Sequence, residues 1–173
     1  MSRVYIPAAV FILLVIEGTL FQLLTPPQNV DLILVPRFLV VMIVLIGIHF
    51  GRVSSVTYGL IFGLLYDVVY TQLLGVYMFG FAFIGYVFAY HHKRIQDSIL
   101  IQLLITSFAV IFFDYYQFGL YRLIGITDMS AELFLSVRLF PSILLNSSFM
   151  IIIYYPVKTL FDYVKKQENL RDR

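Results

Sequence analysis

Five ionisable side chains stand inside stretches that are otherwise almost wholly apolar: Glu17, Arg37, Asp67, Asp114 and Arg138. A charge held in hydrocarbon is costly, so intramembrane acids and bases pair with one another, meet water or mark a site. Glu17 lies seven residues before Leu24, Arg37 four after Ile33, Asp67 four before Thr71, Asp114 four before Phe118 and Arg138 five after Leu133. At ~1.5 Å per helical residue, all five sit roughly 6–11 Å from one common boundary. Three acids and two bases at one depth can do three things. They can neutralise one another and lock helix order, with Arg138 pairing Asp114 or Asp67. They can line a cavity that opens on that side, or they can dock polar groups of a partner. A plainer reading has Arg37 and Asp67, both near helix ends, reaching out to the headgroups.

The elements that must hold these groups are six apolar runs, at about 4–24, 33–50, 53–71, 75–90, 98–118 and 133–157. Crossing a ~30 Å hydrocarbon core takes ~20 mostly apolar helical residues. With 61% hydrophobic and 13% charged residues, a mean hydropathy of +0.91 and 173 residues, the chain leaves no room for a separate soluble domain. The expected architecture is all-α: a polytopic membrane protein with six transmembrane helices, residues 1–173 forming one domain with a tail at 158–173. Pro26 and Pro27 in Thr25–Asn29 predict a turn.

Positive charge fixes the expected orientation. A cytoplasmic N-terminus leaves Arg3, Arg52, Lys93, Arg94, Lys158, Lys165, Lys166, Arg171 and Arg173 inside, nine of the twelve Lys and Arg. Positive segments resist translocation, so both termini are expected in the cytoplasm. The small net charge of +2 points to anionic lipid headgroups at that edge and away from nucleic acid.

The third run carries a stripe at four-residue spacing: Ser55, Gly59, Gly63 and Asp67. Small residues at this spacing let a second helix come close, and a carboxylate at the end of the stripe then faces that interface. We read Ser55, Gly59 and Gly63 as close helix packing and Asp67 as facing the interface, in the polar cluster or against a partner. Asp67→Leu is expected to weaken partner recovery without preventing insertion. In the last run, Pro141 frees a backbone carbonyl that Asn146 or a neighbouring helix can satisfy. Asn146 is read as a bridge between helices.

Catalytic chemistry finds no support. There is no cysteine, hence no thiolate nucleophile, thiolate metal site or disulfide. Ser142, Ser147 and Ser148 have no His nearby, and His49, His91 and His92 lie at the opposite edge from the five charges. No phosphate-binding loop, zinc-ligand spacing or nucleophile elbow is present, so neither a cofactor nor a metal is expected.

Pro36, the stretch Gly59-Leu60-Ile61-Phe62-Gly63-Leu64-Leu65-Tyr66-Asp67, the Leu74-Gly75 pair, and Pro141 with Asn146 together resemble the MreD family of bacterial rod shape-determining membrane proteins. The resemblance implies a non-enzymatic role in cell elongation at the bacterial plasma membrane. Its implied partners are MreC, a single-span protein with an extracytoplasmic domain, and, directly or through it, the MreB filament system and the peptidoglycan synthases. The helix layout is also similar to the substrate-binding components of energy-coupling-factor transporters, which supplies a rival reading as a vitamin or metabolite binder. That rival lacks its usual Ala-x-x-x-Ala contact here, since Ile12 and Leu13 follow Ala8 and Ala9 by four residues.

Overall fold

The structure is a computed structural model that describes residues 4–24 and 32–171; the expected turn at Thr25–Asn29 lies outside these. All regular structure among the described residues is helical. The helices are α1 (Tyr5–Leu24), α2 (Phe38–Phe50), α3 (Arg52–Tyr70), α4 (Val76–Val87), α5 (Lys93–Gln96), α6 (Ile99–Leu123), α7 (Ala131–Leu133) and α8 (Phe140–Arg171), with a π-helical stretch, Phe134–Leu139, joining the last two. Three helical stretches are long and apolar enough to cross a membrane: Arg52–Tyr70, Ile99–Leu123 and Ala131–Gln167. Tyr5–Leu20, Phe38–Phe50 and Val76–Val87 are shorter apolar helices.

The bundle is organised around α2. Every residue from Phe38 to His49 is buried, as expected of a helix that is apolar on all sides. Side chains of α1, α3, α4, α6 and α8 surround it, and their outer faces expose Phe11, Ile61, Val68, Phe79, Phe108 and Ile152. Lipid tails are as apolar as these side chains, so close packing and buried hydrogen bonds have to hold such a bundle together.

The small-residue stripe of α3 shows the packing directly. A Cβ on Gly63 would come within 2.6 Å of the Met78 Cα, and one on Gly59 within 2.7 Å of the Phe81 carbonyl oxygen. From the other side, a Cβ on Gly85 would come within 2.9 Å of the Ser55 backbone. The Ser55 hydroxyl donates to the Ile43 carbonyl at 2.7 Å, tying α3 to α2 as well. The stripe is therefore covered by α4 of the same chain. The second helix expected beside Ser55, Gly59 and Gly63 is α4.

The second run departs from expectation at its start. It was expected to be helical from 33, but residues 32–37 are not helical and the helix starts at Phe38. Arg37 is thus the residue before the helix, not one four positions into it. Non-helical backbone at membrane depth is tolerated only where protein surrounds it, and Val35, Pro36 and Arg37 are buried.

The partner of this segment is the start of α8 with the π-helical stretch before it. In a regular helix the N–H at position 141 would take the Val137 carbonyl, and proline has no N–H. The Ile33 N–H takes that carbonyl instead, at 2.8 Å. The Val35 N–H donates to Ser142 Oγ at 3.1 Å, and Asn146 Nδ2 donates to the Val35 carbonyl at 3.0 Å. Asn146 Oδ1 accepts the Arg37 N–H at 2.7 Å. Asn146 does bridge two elements, while the Val137 carbonyl goes to the extended segment.

Past Pro156 the chain does not break. α8 runs on to Arg171 with Pro156 inside it, and Phe161, fully buried, packs on the rings of His49 and Phe50. The first half of the tail is thus part of the bundle.

Candidate functional site

The five intramembrane charges gather at the end of the bundle that carries the 71–75 and 124–130 turns. They divide into two kinds, helix caps and a buried ion-pair network.

Glu17 and Asp67 are caps. The first turn of α2 has no capping side chain of its own, and Glu17, from α1, supplies one: the Leu39 N–H donates to its Oε2 at 2.8 Å. Asp67 does the same for α4. The N–H groups of Gly75, Tyr77 and Met78 donate to its two oxygens at 2.8, 2.9 and 3.0 Å. Gly75 makes this possible, because its φ of +102° is open to glycine at little cost. A carboxylate at a helix N-terminus meets both the unsatisfied N–H groups and the positive end of the helix dipole. Both carboxylates are fully buried.

Arg37 is the hub of the network. Its Nε and one Nη both lie 2.9 Å from Asp114 Oδ1. The other Nη donates to the Tyr77 hydroxyl at 3.0 Å, and Gln117 Oε1 accepts a further hydrogen bond. The guanidinium carbon stands 4.9 Å from the Phe113 ring centroid, a cation–π distance. Asp114 and Gln117 are three apart on α6, so they share a face. Gln117 Nε2 donates onward to the hydroxyls of Tyr77 at 2.8 Å and Tyr121 at 3.2 Å. Tyr77 stacks on Tyr66 with centroids 4.0 Å apart, and Tyr66 lies beside Glu17. α4, which brings no charge, thus brings the central phenol.

Arg138 differs from the rest. Its Nη2 donates to Gln117 Oε1 at 2.9 Å, but it makes no salt bridge among the described residues. The expected pairing of Arg138 with Asp114 or Asp67 is therefore corrected. Asp114 is taken by Arg37, and Asp67 is turned toward the backbone of α4. Arg138 instead lines a cavity of about 470 Å³, with Arg37, Tyr66, Tyr70, Tyr77, Gln117 and Tyr121 also in its wall.

Tyr77, Gln117, Tyr66 and Tyr121 were missed in the sequence. No pattern in the sequence sets these three tyrosines apart from the other ten of the chain. Gln117 did carry a signal, three residues from Asp114 on an apolar helix.

Among the described residues no group of three or more His, Asp or Glu could hold a metal ion. The arrangement offers acceptors to helix ends and a salt bridge between helices; it does not align a nucleophile with a base.

Comparison with known proteins agrees with this picture. The family described as rod shape-determining protein MreD matches residues 2–164. The chain is 34% identical over 173 residues to the rod shape-determining protein MreD of Bacillus subtilis (strain 168), covering 99% of each chain. No solved structure matches. MreD proteins are a structural family that determines cell shape and are not enzymes. The chain belongs to the MreD family of rod shape-determining proteins.

Proposed function

We propose that this protein is a six-span, non-enzymatic component of the cell-elongation machinery, with both termini in the cytoplasm. It acts by holding partner proteins at the membrane: an MreC-like single-span protein by direct contact, and the MreB filament system and peptidoglycan synthases directly or through it. The observation that carries this reading is where the polar groups go. The four buried charges, Glu17, Arg37, Asp67 and Asp114, are engaged in joining elements of the bundle, and the outer faces are largely apolar. A rigid body with an apolar exterior suits lateral binding of another membrane helix.

The groove between α4 and α6 is the surface best shaped for that helix. Phe79, Gly80, Ala82, Phe83, Phe112 and Tyr116 line it, enclosing about 520 Å³ with almost no polar surface. The six-span reading rests on the six apolar helices, the shorter ones lengthened by extended segments or turns. The cytoplasmic placement of the termini rests on Arg52, Lys93, Arg94, Lys165 and Lys166 lying at the end opposite the charge cluster.

Photo-crosslinking residues placed at Phe83 and Phe112, with Leu144 and Ile152 on α8 as comparison, test the proposal in cells. The expected result is a crosslink from the groove to a single-span protein with an extracytoplasmic domain. Capture of a coupling protein with ATPases, or crosslinks from none of the four positions, would overturn it.

A further inference from the structure

Two guanidinium groups converge on one neutral oxygen at this end of the bundle. Gln117 Oε1 accepts from Arg37 and from Arg138. Asp114 balances Arg37; Arg138 makes no salt bridge among the described residues. The Arg138 Nε is shielded from solvent and has no hydrogen-bond partner among the described residues. An oxyanion beside a guanidinium that has no ion-pair partner gains charge-assisted hydrogen bonds.

The cavity that Arg138 lines is built for such an anion. Its wall contains both arginines and no carboxylate. The other acids of the cluster point elsewhere, Glu17 and Asp67 into the helix ends and Asp114 onto Arg37. The Tyr121 hydroxyl accepts from Gln117, which leaves its own proton to donate, and Gln72 in the same wall carries an amide donor. Donors from three directions suit the spread oxygens of a phosphate better than the two of a carboxylate. A volume of about 470 Å³ exceeds a phosphate several-fold and falls within the ~300–1,000 Å³ of small-molecule sites. The rest of the wall, with Ile33, Val35, Leu73 and Ile126, is apolar.

We propose that this cavity binds the phosphate of a small phosphate ester, with Arg138 as its principal counter-charge. The ester is either a phospholipid headgroup entering from the membrane or a soluble molecule entering from water. The site stands on the cavity itself and does not depend on which proteins the outer surface recruits.

The test is thermal unfolding of the full chain in a neutral detergent. The probes are glycerol 3-phosphate, dihexanoylphosphatidylglycerol and dihexanoylphosphatidic acid, with glycerol and uncharged dihexanoylglycerol as controls. We expect saturable stabilisation by at least one phosphate probe and none by the controls. Arg138→Gln, which keeps polar volume but not charge, should weaken that binding by about tenfold or more. Arg122→Gln, outside the cavity, should leave it unchanged. Response to the lipids alone identifies a headgroup, and response to glycerol 3-phosphate as well identifies a soluble ester; either supports the site. If R138Q does not fold, R138K is used, which keeps the charge without the planar fork and should bind more weakly than the native chain.

No stabilisation of the native chain by any phosphate probe would overturn the proposal, as would equal binding by the Arg138 and Arg122 variants. If no probe binds and R138Q instead loses a protein crosslink, Arg138 pairs with a partner's acid and the phosphate site does not exist.

Discussion

Replacing Asp67 by leucine is expected to unfold the α3–α4 half of the bundle rather than to detach a partner. The carboxylate holds the backbone N–H groups of Gly75, Tyr77 and Met78 at the start of α4, and without it the buried Tyr77 N–H loses its acceptor. Interhelical hydrogen bonds in membranes contribute ~0.6–1.7 kcal/mol each, so the loss should be roughly 2–5 kcal/mol. Asp67→Asn, which keeps one acceptor oxygen, should fall between the leucine variant and the native chain. Monodispersity and unfolding temperature of the purified variants check this. An Asp67→Leu protein as stable as the native one would show that the cap contributes little.

The second large effect is expected at Arg37 and Asp114. Removing either member alone leaves the other charged and buried, which costs about 3–5 kcal/mol. Replacing both, as in Arg37→Met with Asp114→Leu, leaves neither member of the pair behind as an unpaired charge. The double variant should therefore be more stable than either single one, although Tyr77 and Gln117 lose a donor. A double-mutant cycle measures the coupling directly, and simple additivity of the two losses would mean that the pair seen at 2.9 Å has no energetic weight. Asp67 should couple to this pair through Tyr77, whose N–H it accepts and whose hydroxyl accepts from Arg37.

What could be read from the sequence was depth. Five charges counted from the ends of the runs do come to one end of the bundle. Helical rise accounts for Glu17, Asp67 and Asp114, while Arg37 precedes its helix and Arg138 stands in the π-helical stretch. Partner choice could not be read the same way. Depth leaves rotation undetermined, and rotation decides that Asp114 meets Arg37 while Asp67 meets α4. The break before Phe38 was hidden for a related reason. Residues 32–50 are apolar almost throughout, and a continuous apolar run looks the same whether it is a buried helix or a buried extended segment. Pro36 was the one sign of a boundary, since proline is tolerated at a helix start and disfavours helix in the residue before it.

The stripe on α3 illustrates a different limit. Its spacing correctly announced a close helix contact ending on a carboxylate. The spacing carries no information on whether the second helix belongs to the same chain. Gly75, eight residues beyond Asp67, held that information: a turn that short brings the chain straight back along α3. The carbonyl freed by Pro141 was legible, while its receiver, Ile33, lies over a hundred residues away in sequence and could not be found by local pattern.

The central claim is that the buried charges build the bundle, while the work in cell elongation is done by surfaces. A rod-shaped bacterium depleted of its own MreD and supplied with the Arg37→Met, Asp114→Leu double variant tests it most directly, with membrane-inserted, folded protein verified in the same cells. Restoration of rod shape to the level given by the native chain is the predicted result. Round cells containing folded double variant would contradict the account, because the ion pair would then be acting in function and not only in holding the helices together.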